Sequence, residues 1–82
     1  MIVLFSKPNC SYCDRAKQIL NGWGIIYDTV DITANPERRD FLINEGHKSV
    51  PQLYSDGKLF PGGTVALNQI TKEEFQERLK DL

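Results

Sequence analysis

The strongest constraint on this chain's fold lies in its first 32 residues, where an apolar run breaks at a pair of cysteines and a helical pattern follows. Met1-Ile2-Val3-Leu4-Phe5 is continuously apolar and rich in β-preferring residues, as in a strand covered on both faces. Lys7-Pro8-Asn9 ends it. From about Ser11 to Asn21, the residues Cys13, Ala16, Ile19, Leu20 and Trp23 recur at helical spacing and mark an inner face. Asn21-Gly22 is read as the end of that helix rather than as a hairpin turn. Ile25 to Ile32 forms a second expected strand. A strand, a helix and a strand within about 30 residues predict a parallel βαβ unit.

The remainder punctuates itself clearly. Asn35-Pro36 opens a second helix, with Asn35 as N-cap and Pro36 at the first position. Phe41 and Leu42 face inward, and Gly46 ends it. Two short strands follow, around Val50–Tyr54 and Lys58–Phe60, joined by the hairpin signal Ser55-Asp56-Gly57. Pro61-Gly62-Gly63 is a loop. Thr71 with Glu74 forms a capping box for a last helix, Ile70 and Phe75 a hydrophobic staple, and Phe75, Leu79 and Leu82 its apolar stripe. The expected order is β-α-β-α-β-β-α: an α/β fold with a four-stranded sheet and three helices.

The 82 residues suit one domain spanning 1–82 with a compact core. A net charge of −1 gives no electrostatic case for nucleic acid or an anionic membrane surface. No apolar run approaches the roughly 20 residues of a membrane span, and Met1 opens directly into a core strand rather than a signal peptide. The expectation is a cytoplasmic monomer, in a compartment where disulfides are transient and catalytic.

Cys10 and Cys13 are the only cysteines. On a helix, residues i and i+3 lie about 5 Å apart at Cα, inside the window of roughly 4.4–6.8 Å that a disulfide accepts. The pair can therefore close and reopen with little backbone movement. Three other uses of two thiols compete with a redox role. Structural zinc needs about four ligands, and His47 is the only imidazole; so short a disulfide loop restrains little of the unfolded chain; and free cysteines can pack as small hydrophobes. A Cys-x-x-Cys between a strand and a helix favours redox chemistry. Cys10, before the first helical turn, is the expected nucleophile, because free backbone N–H groups and the helix dipole favour a thiolate. Lys7 and Arg15 add positive charge, Asp14 opposes it, and Ser11 contributes a backbone N–H. Cys13, one turn further, is expected to be buried and to resolve mixed disulfides.

Taken together, the landmarks resemble the glutaredoxin family over essentially the whole chain. Lys7-Pro8-Asn9-Cys10-Ser11-Tyr12-Cys13 is similar to the family's active-site segment, Ser49-Val50-Pro51 to its Thr-Val-Pro loop, and Gly62-Gly63 to its Gly-Gly turn before the last helix. The resemblance implies a thioredoxin-like fold with a mixed four-stranded sheet and a cis peptide bond before Pro51. Departures are Ser11, where proline is commonest, an extra Pro61, and Thr64-Val65-Ala66, where family members often carry aspartates that help hold the γ-glutamyl end of glutathione.

What the resemblance implies for function is a glutathione-dependent thiol–disulfide oxidoreductase acting on disulfide-containing or glutathionylated proteins, with glutathione as co-substrate and no resident cofactor or metal. Lys7 and Arg38 would face the glycyl carboxylate of glutathione, and Tyr12 would line the groove. Val50, beside Pro51, would pair its main chain with the cysteinyl unit, and Thr64 and Val65 would offer backbone N–H groups to the γ-glutamyl carboxylate. Arg38 has a structural rival as a surface arginine beside Arg39, and His47 and Trp23 are read as structural. Two other functions stay open at this level. One is an electron donor to ribonucleotide reductase recharged by thioredoxin reductase. The other is an iron–sulfur carrier in which Cys10 of two subunits and glutathione hold a cluster.

Overall fold

A computed structural model describes residues 1–82. Its sheet is built from β1 (Ile2–Ser6), β2 (Asp28–Asp31), β3 (Gln52–Ser55) and β4 (Lys58–Phe60), in the spatial order β2-β1-β3-β4. β1 pairs in parallel with β2, Leu4 opposite Thr29, and antiparallel with β3, Leu4 opposite Leu53. The parallel pair and the intervening α1 (Ser11–Gly22) make the predicted βαβ unit. β3 and β4 close as a hairpin whose two central residues, Asp56 and Gly57, have φ of 51° and 81°, the pattern of a type I′ turn.

Alternation along the central strands divides the core. Leu4 and Leu53 face one side with Ala16, Leu20, Phe60, Leu67 and Phe75, while Phe5 and Tyr54 face the other with Leu42. Three helices thus cover one face of the sheet: α1, α3 (Gly63–Asn68) and α4 (Lys72–Lys80). A single helix, α2 (Pro36–Asn44), covers the other. This is the mixed-sheet thioredoxin-like arrangement that the resemblance implies, with one helix more than the predicted three. α3 begins at Gly63, the last residue of the expected Pro61-Gly62-Gly63 loop, and has only six residues, too few to display a helical period. Thr64 and Leu67 are its buried contacts.

Helix ends follow local chemistry. α1 ends with Ile25 N–H bonded to Leu20 O and Gly24 N–H to Asn21 O, a Schellman motif whose left-handed residue is Gly24 (φ 70°) rather than the expected Gly22. α2 ends the same way, with Gly46 (φ 88°) in the left-handed position and His47 N–H bonded to Leu42 O. The Thr71–Glu74 capping box of α4 is present in both directions. Asn35 occupies the N-cap position of α2, but its side chain donates back to Asp31 O instead of capping. The second strand is shorter than predicted, because Ile26 points into solvent and the chain joins β1 only at Asp28. No helix is long and apolar enough to cross a membrane.

Candidate active site

Strand β1 ends at Ser6, and Lys7-Pro8-Asn9 turns the chain into α1, with Asn9 in the left-handed region at φ 58°. Cys10 then stands at the N-cap of α1 in extended conformation, and its Sγ accepts a hydrogen bond from Cys13 N–H at 3.2 Å. The sulfur fills the place of a capping oxygen, where the free amides of the first turn favour negative charge. Cys10 and Cys13 are joined in a disulfide with Cα atoms 5.2 Å apart. Cys10 retains 9% exposure and Cys13 none, so Cys10 is the more accessible member of the pair.

Opposite Cys10 lies the Val50–Pro51 segment, whose peptide bond is cis. Cys10 Sγ is 3.9 Å from Val50 O. Val50 precedes β3, outside the sheet ladder, and makes no backbone hydrogen bond, so its main-chain groups remain open to a partner. Below it begins α3. Gly62 (φ 95°) and Gly63 (φ 55°) both take left-handed conformations, and a Cβ added to Gly62 would meet Ala66 Cβ at 2.6 Å. Thr64 is buried and its hydroxyl donates to Tyr12 O at 2.8 Å, tying the start of α3 to the start of α1.

Two cavities flank Val50. One, of about 290 Å³, brings together Tyr12, Val50, Pro51, Gly63, Thr64 and Val65, so that five of the predicted residues meet in one groove. The other, of about 160 Å³, is lined by Lys7, Arg39, His47, Lys48 and Val50 among others. Arg38 is in neither: it lines a third, apolar cavity with Phe5, Phe41 and Tyr54. One residue along a helix is a rotation of about 100°, enough to turn Arg38 away and bring Arg39 to the side of Lys7. The sequence contains both arginines side by side, and only the orientation of α2 distinguishes them. Arg15 is likewise turned aside, donating to Asn68 Oδ1 at 3.2 Å.

His47 joins the site to the core. Its Nε2 lies 2.8 Å from the hydroxyl of Tyr54, which is buried and held above the ordinary phenol pKa chiefly by that burial, with the Glu45 charge adding to it. Trp23 packs against Phe75 with ring centroids 5.3 Å apart and has no part in the site.

Comparison with known proteins bears on the same residues. Residues 2–60 match the family model for glutaredoxin. Glutaredoxin 3 of Escherichia coli K12 is 31% identical over 62 residues, covering 74% of this chain and 75% of that protein. A chloroplastic monothiol glutaredoxin-S7 of rice, Oryza sativa, is 32% identical over 85 residues, covering 96% of this chain but only 51% of its own length. Among solved structures, a buckwheat glutaredoxin–glutathione complex superposes with a TM-score of 0.71 at 25% identity, covering 98% of this chain and 73% of that one. With its dithiol at the start of α1 and a family match that includes the whole sheet, this chain belongs to the glutaredoxin family and is built for thiol–disulfide exchange.

Proposed function

We propose that the protein reduces protein disulfides and glutathionylated thiols, with glutathione as its source of electrons. The observation that carries this is the placement of Cys10: an accessible sulfur at a helix N-cap, facing an open main-chain edge at Val50 with a cavity on either side. The glutathione complex of the buckwheat relative supports the choice of reductant.

In the cycle, the Cys10 thiolate attacks one sulfur of the substrate disulfide and expels the other as a thiolate, which takes a proton from water. Cys13 loses its proton and attacks Cys10 Sγ, expelling the second substrate thiolate and leaving the Cys10–Cys13 disulfide. Two electrons have moved from the protein to the substrate. Two glutathione molecules then return them in two exchanges and leave joined as oxidised glutathione. With a glutathionylated substrate, Cys10 alone takes the glutathionyl group and a second glutathione removes it.

Lys7 and Arg39 offer cations to the glycyl carboxylate of glutathione, and Val50 offers its N–H and C=O to the cysteinyl unit in the manner of an added strand. The γ-glutamyl end meets the backbone of Thr64 and Val65 without an acidic side chain. That missing partner favours, as a second reading, recharging by thioredoxin reductase. A coupled assay compares the two electron sources, with NADPH oxidation as the readout. Turnover with glutathione and its reductase is the expected result, and turnover only with thioredoxin reductase would replace the proposal by the second reading.

A further inference from the structure

The two cavities beside Val50 differ in a way that glutathione alone does not explain. The smaller is lined by three full cations, Lys7, Arg39 and Lys48, with His47 among them, and by no acidic residue. None of the three takes part in either of the molecule's ion pairs, which are Met1–Asp56 and Lys80–Glu77, and none has a side-chain hydrogen bond. Three unneutralised cations exceed what one carboxylate requires. The larger cavity has no charged lining residue at all, and its lining mixes polar Ser49, Gln52 and Thr64 with the apolar faces of Tyr12, Pro51 and Val65. Tyr12 and Val65 are 64% and 59% exposed, so two apolar surfaces stand open beside the accessible sulfur. Ser49 and Val50 line both cavities, so a strand laid along Val50 passes from the cationic side to the apolar side as it crosses Cys10.

We infer that the preferred protein substrate is a segment whose reactive cysteine has an acidic residue on one side and an apolar residue on the other. This deepens the oxidoreductase reading and rests on it, but not on glutathione as reductant. Main-chain pairing at Val50 carries no sequence preference, whereas a pocket on each side of the cysteine does. Clustered cations that are not neutralised raise the local concentration and association rate of an acidic segment, and do so less as salt increases. On the other side, burying an apolar side chain against Tyr12 and Val65 adds affinity in proportion to the area removed from water. The order of the two flanking residues matters, because a strand reversed along Val50 would put its acid on the apolar side.

The test uses single-turnover reduction by the fully reduced protein without glutathione. Four short peptides carry cysteine in a mixed disulfide with 2-nitro-5-thiobenzoate, whose release is coloured. Their central sequences are Leu-Cys-Asp, Asp-Cys-Leu, Leu-Cys-Lys and Lys-Cys-Leu. One of the two acidic peptides is expected to react about tenfold faster than its lysine counterpart at low salt, with the difference shrinking towards none at about 0.5 M salt. The acidic peptide of opposite order is expected to be slower. In the triple variant Lys7→Gln, Arg39→Gln, Lys48→Gln, the ratio of acidic to lysine peptide falls towards one. Equal rates for acidic and lysine peptides, equal rates for both orders, or an unchanged ratio in the triple variant would each overturn the inference. Reduction of none of the peptides would overturn the oxidoreductase reading with it. A failure of glutathione coupling leaves this measurement standing.

Discussion

At Cys10 the backbone is still extended (φ −116°, ψ 105°), and one residue later it is helical, so its sulfur receives the Cys13 amide while Cys13 itself is enclosed by the core. The roles of nucleophile and resolving thiol follow from that difference in access and electrostatics. Cys10→Ser is therefore expected to abolish both disulfide reduction and deglutathionylation, as read by loss of NADPH oxidation to the uncatalysed background. Activity well above background would move the nucleophile elsewhere. Arg38 and Arg39 are separated by the same kind of local geometry. Exposed ion pairs contribute about 0.2–1 kcal/mol, which corresponds to at most about fivefold in affinity. Arg39→Ala is expected to raise the glutathione concentration needed for half-maximal rate by up to that factor, while Arg38→Ala, which lines the far cavity, leaves it within error. The opposite pattern would place Arg38, and not Arg39, at the glycyl carboxylate.

Most of the elements could be read from their punctuation. The break at Lys7-Pro8-Asn9, Pro36 at a helix start, Asp56-Gly57 in a hairpin and the Thr71–Glu74 box each act through bonds within a few residues, so the sequence displays them directly. What escaped depends on contacts between distant segments. α3 is helical because Thr64 bonds Tyr12 O and Leu67 enters the core of α1 and α4, neither of which a six-residue window reveals. Likewise, the five groove residues come from three separate parts of the chain, and their grouping was available only through the family resemblance. The turn into α3 also explains the glycine pair. Gly62→Ala must place a Cβ at positive φ and 2.6 Å from Ala66 Cβ. It is expected to cost about 1–3 kcal/mol, seen as a lower urea midpoint. A midpoint within error of the parent would show that this turn is free to rearrange.

Across the whole molecule, the sheet separates a face covered by three helices from a face covered by α2, and the active site lies where β1, α1, α3 and the loop before β3 meet. Tyr54 belongs to the α2 side, stacked edge-on against Phe5 and Phe41 and bonded to His47. Its phenol is held above the ordinary value near 10, first by burial and then by Glu45, so the folded chain keeps a proton that the unfolded chain releases. The contribution to stability is complete below about pH 10 and is lost as pH rises through the folded value. Urea midpoints measured on the alkaline side should fall more steeply for the parent than for Tyr54→Phe; equal slopes would mean that the phenol titrates as it does in the unfolded chain. Cys10, the more accessible thiol, attacks and buried Cys13 resolves, with glutathione as reductant. That division of labour can be checked by incubating Cys13→Ser with a glutathionylated protein and measuring intact mass before and after adding glutathione. One glutathionyl group on Cys10, which free glutathione then removes, is the expected result, with deglutathionylation retained and reduction of protein disulfides lost. No adduct, or an adduct that free glutathione leaves in place, would contradict it.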